Sequence, residues 1–320
     1  MRTHTVGAGA AGLAALLALA PGALATFPGA NGPIAVQQLT ESSTGTSDVV
    51  RADTRRSLDG TCCDLVAQRD PAWGPDGTRL AYVSTAAGAP DLYVSTGQTS
   101  SGLVMARVAL TPRLAVSHPA WAPDGRRIVF AGSQGGAPAD LWVVEVDAKG
   151  AASGLRRITR TAFAEAAPDW SPRGDAVAFA ADPGGGSQVF LVAPAGGAAR
   201  QVTSPGPVST TAASPSFSPD GARLAWAGGA LDARGFATTS IVAGALDGSV
   251  PPAVLAAGTG TVPLTEPVWS PDGTQVAFIR FGQLATQPAA GGTPTVVMSG
   301  IPLSATDWGV APGTGLVTPS

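Results

Sequence analysis

The sequence has few of the residues that carry acid–base or nucleophilic chemistry. Only two histidines, two cysteines and one lysine occur among its 320 residues. One histidine, His4, falls in an apolar N-terminal segment, which leaves His118 as the only histidine of the remaining chain. The sequence also lacks a G-x-S-x-G motif, the nucleophile elbow of an α/β-hydrolase. A Ser-His-Asp hydrolase is therefore disfavoured, and no residue is predicted to be catalytic.

Positive charge is equally sparse. Charged residues make up 13 % of the chain, the formal net charge is −3, and Lys149 is the only lysine. Binding to nucleic acid requires a basic surface that neutralises phosphates. The composition therefore predicts no nucleic-acid partner.

The N-terminal segment has the features of a signal peptide. Arg2 is followed by an apolar run over Val6–Ala20, and Ala23-Leu24-Ala25 offers an A-x-A cleavage site. We predict a signal peptide over residues 1–25 and export to the periplasm, the cell envelope or the extracellular space. The alternative is an uncleaved anchor, although the run is short for a bilayer. After cleavage, no membrane association is expected.

The two cysteines, Cys62 and Cys63, are adjacent in sequence. In an oxidising compartment they could form a vicinal disulfide, which is a strained arrangement. The alternative is a pair of thiols in a strand or loop. No C-x-x-C motif is present, and we assign the pair no function.

Glycine and proline, by contrast, are abundant and fall in a repeated motif. Five copies have a proline, an aromatic residue two positions later and a tight turn, as in Pro119–Gly125, and Thr306–Gly309 is a worn sixth copy. Successive aromatic anchors are 48, 49, 47, 52 and 39 residues apart, a period typical of propeller blades. The six anchors are Trp73, Trp121, Trp170, Phe217, Trp269 and Trp308.

Each repeat contains apolar runs for four short strands. The Pro-Asp-Gly sequence, which is Pro-Arg-Gly in the third copy, favours a tight turn between the first two strands, and a second aromatic follows each of the first five anchors by nine positions. The third strands are predicted at Asp91–Val94, Asp140–Val143 and Gln188–Leu191. The fourth strands are predicted at Val108–Thr111, Arg157–Thr159 and Gln201–Thr203.

These repeats predict an all-β, six-bladed β-propeller of four-stranded antiparallel blades over residues 26–320. The ring is expected to close by pairing N-terminal strands with a C-terminal strand around Trp308. The N-terminal candidates are Ile34–Val36, Asp48–Arg51 and Arg55–Leu58, and Gly315–Val317 is a competitor for Ile34–Val36.

Two segments around the fourth blade depart most from the repeat, namely Gly228–Thr239 and Asp247–Leu264. Long loops on a rigid scaffold often carry binding specificity. The alternative is a tolerated surface insertion.

The repeated W-S-P-D-G core, seen in Trp269–Gly273 and its counterparts, resembles the WD40-like PD40 family of TolB-like β-propellers. The resemblance covers residues 33–312 and implies a six-bladed propeller outside the cytoplasm. For the protein after which the family is named, the resemblance implies a partner-binding role in envelope integrity. Only the propeller part is similar, because the leader here runs almost directly into Ile34, without a separate α/β domain. Prolyl oligopeptidases use related blades but add a hydrolase domain, for which there is no room.

Candidate site residues come from one repeat position, three residues before each anchor. If the first strand of each blade is innermost, these residues surround one mouth of the central channel. In blade order they are Asp70, His118, Ala167, Ser214, Glu266 and Ala305. Asp70, His118 and Glu266 could then converge on a divalent cation such as manganese or calcium. The alternative is that they cap strand ends or face channel water, and no other cofactor is predicted.

The sequence thus predicts an exported, monomeric binding or scaffold module. Its partner would be an envelope or extracellular protein or polysaccharide docked over one channel mouth. The second hypothesis is a metal-dependent enzyme of the lyase or lactonase type with its site in the channel. A third is a structural envelope protein without a specific ligand.

Overall fold

A computed structural model describes residues 27–39, 46–58, 66–231, 237–258, 263–300 and 302–312. The predicted signal peptide, the Cys62–Cys63 pair and Gly315–Val317 lie outside the described residues and stay predictions. Among the described residues, regular secondary structure consists of β-strands alone. This part of the chain contains no helix long and apolar enough to cross a bilayer.

The strands form six sheets arranged as blades around an axis, as the repeat predicted. Two strands precede the first complete blade: β1 (Asn31–Leu39) and β2 (Ser47–Arg51). Blade 1 contains β3 (Gln68–Trp73), β4 (Leu80–Ser84), β5 (Asp91–Gln98) and β6 (Leu103–Arg107). Blade 2 contains β7 (Ala115–Trp121), β8 (Arg127–Ser133), β9 (Asp140–Val146) and β10 (Ala152–Arg157).

The remaining blades repeat this order. Blade 3 contains β11 (Glu165–Trp170), β12 (Val177–Ala181), β13 (Gln188–Val192) and β14 (Arg200–Gln201). Blade 4 contains β15 (Thr211–Phe217), β16 (Arg223–Leu231), β17 (Ala237–Ala245) and β18 (Ala253–Ala257). Blade 5 contains β19 (Leu264–Trp269), β20 (Gln275–Arg280), β21 (Gln283–Pro288) and β22 (Thr295–Met298). The last strand, β23 (Leu303–Val310), belongs to blade 6. In every blade, consecutive strands pair antiparallel.

The turn after each anchor explains why the first two strands form a hairpin. In blade 1, Trp73 pairs with Leu80 across the turn. The Asp76 carboxylate accepts hydrogen bonds from the backbone N–H groups of Thr78 (2.8 Å) and Arg79 (3.1 Å). Gly77 has a φ of 67°, which a glycine adopts without strain. In blades 1 to 5 the anchor and the second aromatic lie in the same buried cluster, as the nine-residue offset predicted.

Neighbouring blades are joined by an arginine that follows the turn. The guanidinium of Arg79 in blade 1 lies 4.5 Å from the ring centroid of Trp121 in blade 2. The other two pairs are Arg127 over Trp170 (5.0 Å) and Arg223 over Trp269 (4.4 Å). Each of these cation–π contacts covers the anchor of the following blade.

The ring closes as predicted, by pairing β1 with β23. Ile34 lies opposite Trp308, and β2 continues the sheet with Val36 opposite Val50. The predicted strand Arg55–Leu58 is reduced to one bridge between Ser57 and Val50. Blade 6 therefore has three strands in the described residues rather than four.

The outer strands lie earlier in the chain than the sequence predicted. In blade 1 the outer strand is β6, and the predicted Val108–Thr111 follows it. Val108 is buried, and its N–H donates to the carbonyl of Leu92 (2.8 Å). Val104, within β6, is 44 % exposed. The apolar pattern therefore indicated Val108, the buried residue that follows β6. No residue of β6 itself is buried. The same displacement affects the predicted Arg157–Thr159 and Gln201–Thr203.

The two predicted insertions have different structures. Gly228–Thr239 lengthens the hairpin of β16 and β17, whose tip lies outside the described residues. Asp247–Leu264 contains β18, the ordinary outer strand of blade 4. Much of this second segment is therefore part of the blade.

Candidate functional site: the central channel

The first strand of each blade lies innermost and carries a distortion at the predicted site position. In blades 1 to 5 the strand has a register shift there, and the residue before the proline has a positive φ. The five residues and angles are Asp70 (54°), His118 (49°), Ala167 (47°), Ser214 (48°) and Glu266 (52°). Left-handed backbone at a non-glycine residue costs about 1–3 kcal/mol and requires support from the surrounding fold. The bulge changes where the side chain points.

These residues surround a central cavity of about 120 Å³. All six predicted positions, from Asp70 to Ala305, contribute to its wall. The volume holds several water molecules but is below the roughly 300 Å³ of a typical small-molecule pocket. The channel can therefore accept a group of side-chain size, while the bulk of a partner has to remain outside.

The three predicted metal ligands face the same cavity. Asp70 accepts a hydrogen bond from the backbone N–H of His118 (3.0 Å) and lies 3.8 Å from Arg69. Glu266 accepts a hydrogen bond from the hydroxyl of Ser214 (3.1 Å). These contacts cross from blade to blade and fix the carboxylates. The Nδ1 atom of His118 is buried and has no hydrogen-bond partner among the described residues.

The electrostatics couple Glu266 to the other two residues. Burial raises the pKa of the Glu266 carboxyl, the charge of His118 and the Ser214 hydrogen bond oppose this rise, and Asp70 adds to it. Within the described residues, no group of three or more His, Cys, Asp or Glu side chains is arranged to hold a metal ion. The structure thus brings the three residues to one channel, and the metal site stays a prediction.

Sequence reasoning missed two further carboxylates in the channel wall, Asp169 and Asp307. Asp169 accepts a hydrogen bond from the backbone N–H of Phe217 (2.7 Å), and Asp307 accepts one from that of Trp73 (2.5 Å). Each bond joins an inner strand to that of the next blade, and the second joins blade 6 to blade 1 at the ring closure. Burial raises the pKa of Asp169 to about 8, with a further contribution from Asp307, and raises that of Asp307 to about 6.

A signal for these two residues was present in the repeat. They occupy the position directly before the anchor aromatic, in blades 3 and 6, which are opposite one another in a ring of six. The other four blades have uncharged residues there: Ala72, Ala120, Ser216 and Val268.

The two mouths of the channel differ. We call the mouth at which the inner strands begin the polar mouth, and the six predicted positions lie two or three residues inside it along each inner strand. At the other end, which we call the turn mouth, the inner strands run into the Pro-Asp-Gly turns. Phe27 lines the same cavity, and the backbone N–H of Gly29 donates to Pro271 in the blade 5 turn (3.4 Å). A segment of the chain itself therefore lies across the turn mouth.

The fold and the channel define the class of protein: a six-bladed β-propeller with a narrow, carboxylate-lined central channel. A model of the TolB β-propeller domain, PD40, matches residues 68–245, more than half of the chain. The chain belongs to this family, as the repeated motif indicated.

Curated relatives support the same family over a shorter stretch. The Tol-Pal system protein TolB of Bordetella pertussis is 44 % identical over 127 residues, which are 40 % of this chain and 27 % of that protein. The match therefore spans about a quarter of the length of these relatives.

Solved structures share the fold. TolB from Acinetobacter baumannii superposes with a TM-score of 0.69 at 19 % identity, over 89 % of this chain and 69 % of that one. Hydrazine synthase from Kuenenia stuttgartiensis gives 0.68 at 13 % identity, over 91 % and 48 %. Some of the proteins that share this fold are named for a reaction, and others are not. The fold alone therefore does not assign a reaction to this chain.

Proposed function

We propose that this chain is an exported binding module that receives a protein or polysaccharide partner at the polar mouth. The observation that carries this proposal is the difference between the two mouths. The polar mouth presents Asp70, His118, Ser214 and Glu266, whereas Phe27 and its neighbours lie across the turn mouth. A cavity of about 120 Å³ suits a single inserted side chain or sugar substituent with the rest of the partner docked outside.

The predicted signal peptide and the relationship to Tol-Pal proteins support an envelope location. Cell fractionation followed by N-terminal sequencing tests this part separately. Export with a new N-terminus near Thr26 is expected, and a cytoplasmic chain that retains residues 1–25 contradicts it.

Binding at the polar mouth is tested by affinity capture from envelope and extracellular fractions. The paired substitution Asp70→Asn and Glu266→Gln changes the charge of the polar mouth without changing side-chain size. The control is Glu145→Gln, an exposed residue of β9. Partners retained by the wild type and the control but lost by the paired variant support the proposal. Equal retention by all three proteins places the contact elsewhere.

A second candidate function is the metal-dependent enzyme. The observation that favours it is that Asp70, His118 and Glu266 line the same cavity. A cation held by these side chains would bind the folded state alone and raise its stability by about 2.7 kcal/mol at a hundredfold excess over Kd. Thermal unfolding is measured with chelator and then with calcium, manganese or zinc. A metal-dependent shift that His118→Ala abolishes supports this candidate, and no shift with any of the three ions rejects it.

A further inference from the structure

A second cavity lies between blades 3 and 4, away from the central channel. Its volume is about 120 Å³, and it shares no lining residue with the channel cavity. We call it the rim cleft. It lies between residues 200–203 of blade 3 on one side and Leu224, Trp226, residues 244–246 and Pro252 of blade 4 on the other.

The rim cleft is open because the outer strand of blade 3 is short. This strand, β14, has two residues, whereas the outer strands of blades 1, 2, 4 and 5 have four to six. In blades 1 and 2 the residue that follows the outer strand is buried, as Val108 and Ile158 show. The corresponding Val202 is only partly buried. The short strand therefore leaves part of the adjoining face of blade 4 uncovered.

Blade 4 also lacks a side chain that would fill the cleft. In the third strand, the residue opposite the start of the second strand is buried in blades 2, 3 and 5, where it is Val144, Val192 and Gln287. The Gln287 amide even crosses to blade 4 and donates to the carbonyl of Leu255. Blade 4 has Gly244 at this position. A Cβ there would lie 3.4 Å from the ring of Trp226 and 3.3 Å from Pro252, so a larger side chain would occupy the cleft.

The walls of the rim cleft combine an apolar floor with one free positive charge. Trp226 and Leu224 form the floor, and both are buried. Arg200 lies at the exposed edge and has no ion-pair partner within the described part of the chain. No Asp or Glu side chain is among the described residues that line the cleft. A guanidinium in this setting favours a carboxylate, which it binds through two parallel hydrogen bonds.

The volume of the cleft limits the size of the ligand. An apolar cavity of about 150 Å³ holds a benzene molecule. The rim cleft, at about 120 Å³, is slightly smaller but open on one side. It therefore accepts one ring or a branched alkyl group, with a polar group projecting towards Arg200.

We propose that the rim cleft is a binding site for a small organic carboxylate whose apolar part is no larger than one six-membered ring. The apolar part lies against Trp226, and the carboxylate pairs with Arg200. Because the cleft lies between two blades, the bound ligand contacts both blades and stabilises their packing. The site does not depend on what the polar mouth binds.

Benzoate is the probe, and the indole N–H resonances of the seven tryptophans report where it binds. The Trp226→Phe variant identifies the Trp226 resonance by its loss. Benzoate is expected to shift this resonance along a saturable curve, with a Kd on the order of 1 mM for a ligand of this size. The resonances of Trp73, Trp121 and Trp308, which line the channel, are expected to stay in place. The absence of a saturable shift at Trp226 overturns the proposal.

Two variants test the two walls separately. Arg200→Gln is expected to weaken benzoate binding at least tenfold, whereas the control Arg160→Gln, at an exposed arginine that does not line the cleft, is expected to bind like the wild type. Benzyl alcohol has the same ring without the charge and is expected to bind the wild type at least tenfold more weakly than benzoate. Equal binding of the two probes, or an unchanged Kd in Arg200→Gln, contradicts the carboxylate assignment.

Gly244→Val gives blade 4 the side chain that blades 2 and 3 carry, and it is expected to abolish binding. Gly244→Ala adds the Cβ alone and is expected to weaken binding, so it provides the same test if the valine variant does not fold. Thermal unfolding without benzoate establishes that each variant is folded. An affinity that neither substitution changes places the ligand outside the rim cleft and overturns the proposal.

Discussion

Neutralising Asp169 is expected to make the protein less sensitive to pH. Its carboxyl lies in the channel wall, and burial raises its pKa from 3.8 to about 8. Between these values the folded protein holds a proton that the unfolded chain has released. Folding therefore takes up one proton, and the free energy of unfolding falls as the pH rises, by about 1.4 kcal/mol per pH unit. Asp307 contributes in the same direction up to about pH 6.

The substitution Asp169→Asn keeps the size of the side chain and an oxygen that can accept the hydrogen bond of Phe217. The amide does not ionise, so its contribution to stability is independent of pH. From pH 5 to pH 7 the wild type is expected to lose about 2.7 kcal/mol relative to the variant. This is an upper value, because Asp169 lines the cavity and its surface is not fully buried.

Urea unfolding followed by tryptophan fluorescence at pH 5, 6 and 7 measures this difference. Four other ionisable groups also face the channel, namely Asp70, His118, Glu266 and Asp307. Because both proteins contain them, their contributions to the pH dependence of the free energy of unfolding largely cancel in the comparison. The control is Asp247→Asn. Hydrogen bonds lower the pKa of Asp247. Its ionised carboxylate therefore adds stability that is lost only when the pH falls below the ordinary pKa of an aspartate. Its curve should run parallel to that of the wild type over this range. Parallel curves for Asp169→Asn and the wild type would refute the assignment of a protonated Asp169.

Two further predictions concern contacts between blades. Arg79→Gln removes the guanidinium above Trp121 and should lower the free energy of unfolding by about 1–2 kcal/mol. A double-mutant cycle with Trp121→Phe should show a coupling energy of this order, and strict additivity would exclude the cation–π contact. Gly77→Ala should be far more destabilising than Gly135→Ala, although both glycines have a positive φ. A Cβ at Gly77 would lie 2.2 Å from the carbonyl of Val310, whereas the space around Gly135 is open. Thermal unfolding should give about 1–2 kcal/mol for the second variant, and equal losses would contradict the packing at the ring closure.

The repeat predicted the fold because every copy carries the same local physics. The tight turn, the anchor and the second aromatic fix the hairpin, and the structure shows that the first strand of the hairpin is innermost. With the first strand innermost, the repeat position of Asp70, His118 and Glu266 predicts that they surround one channel. The pairing of Ile34 with Trp308 followed from the strand missing at each end.

The features that the repeat did not predict depend on contacts outside it. The outer strands were predicted too late in the chain because their residues are exposed or only partly buried, as in β6, whereas Val108 after β6 is buried. Asp169 acts through a hydrogen bond to Phe217 in the next blade, which no single repeat contains. Phe27 belongs to no repeat, and only the three-dimensional course of the chain brings it to the channel.

The positive φ of the channel residues belongs to the scaffold rather than to a particular chemistry. Ala167 has nearly the same φ as His118, although its methyl group has no polar role. The strain is therefore set by the bulge before each proline, and it would be present in a propeller with any side chains at these positions. Functional evidence has to come from which side chains the bulges carry. Here two of the six positions carry carboxylates, one an imidazole and one a hydroxyl, and it is this set that the paired substitution at Asp70 and Glu266 tests.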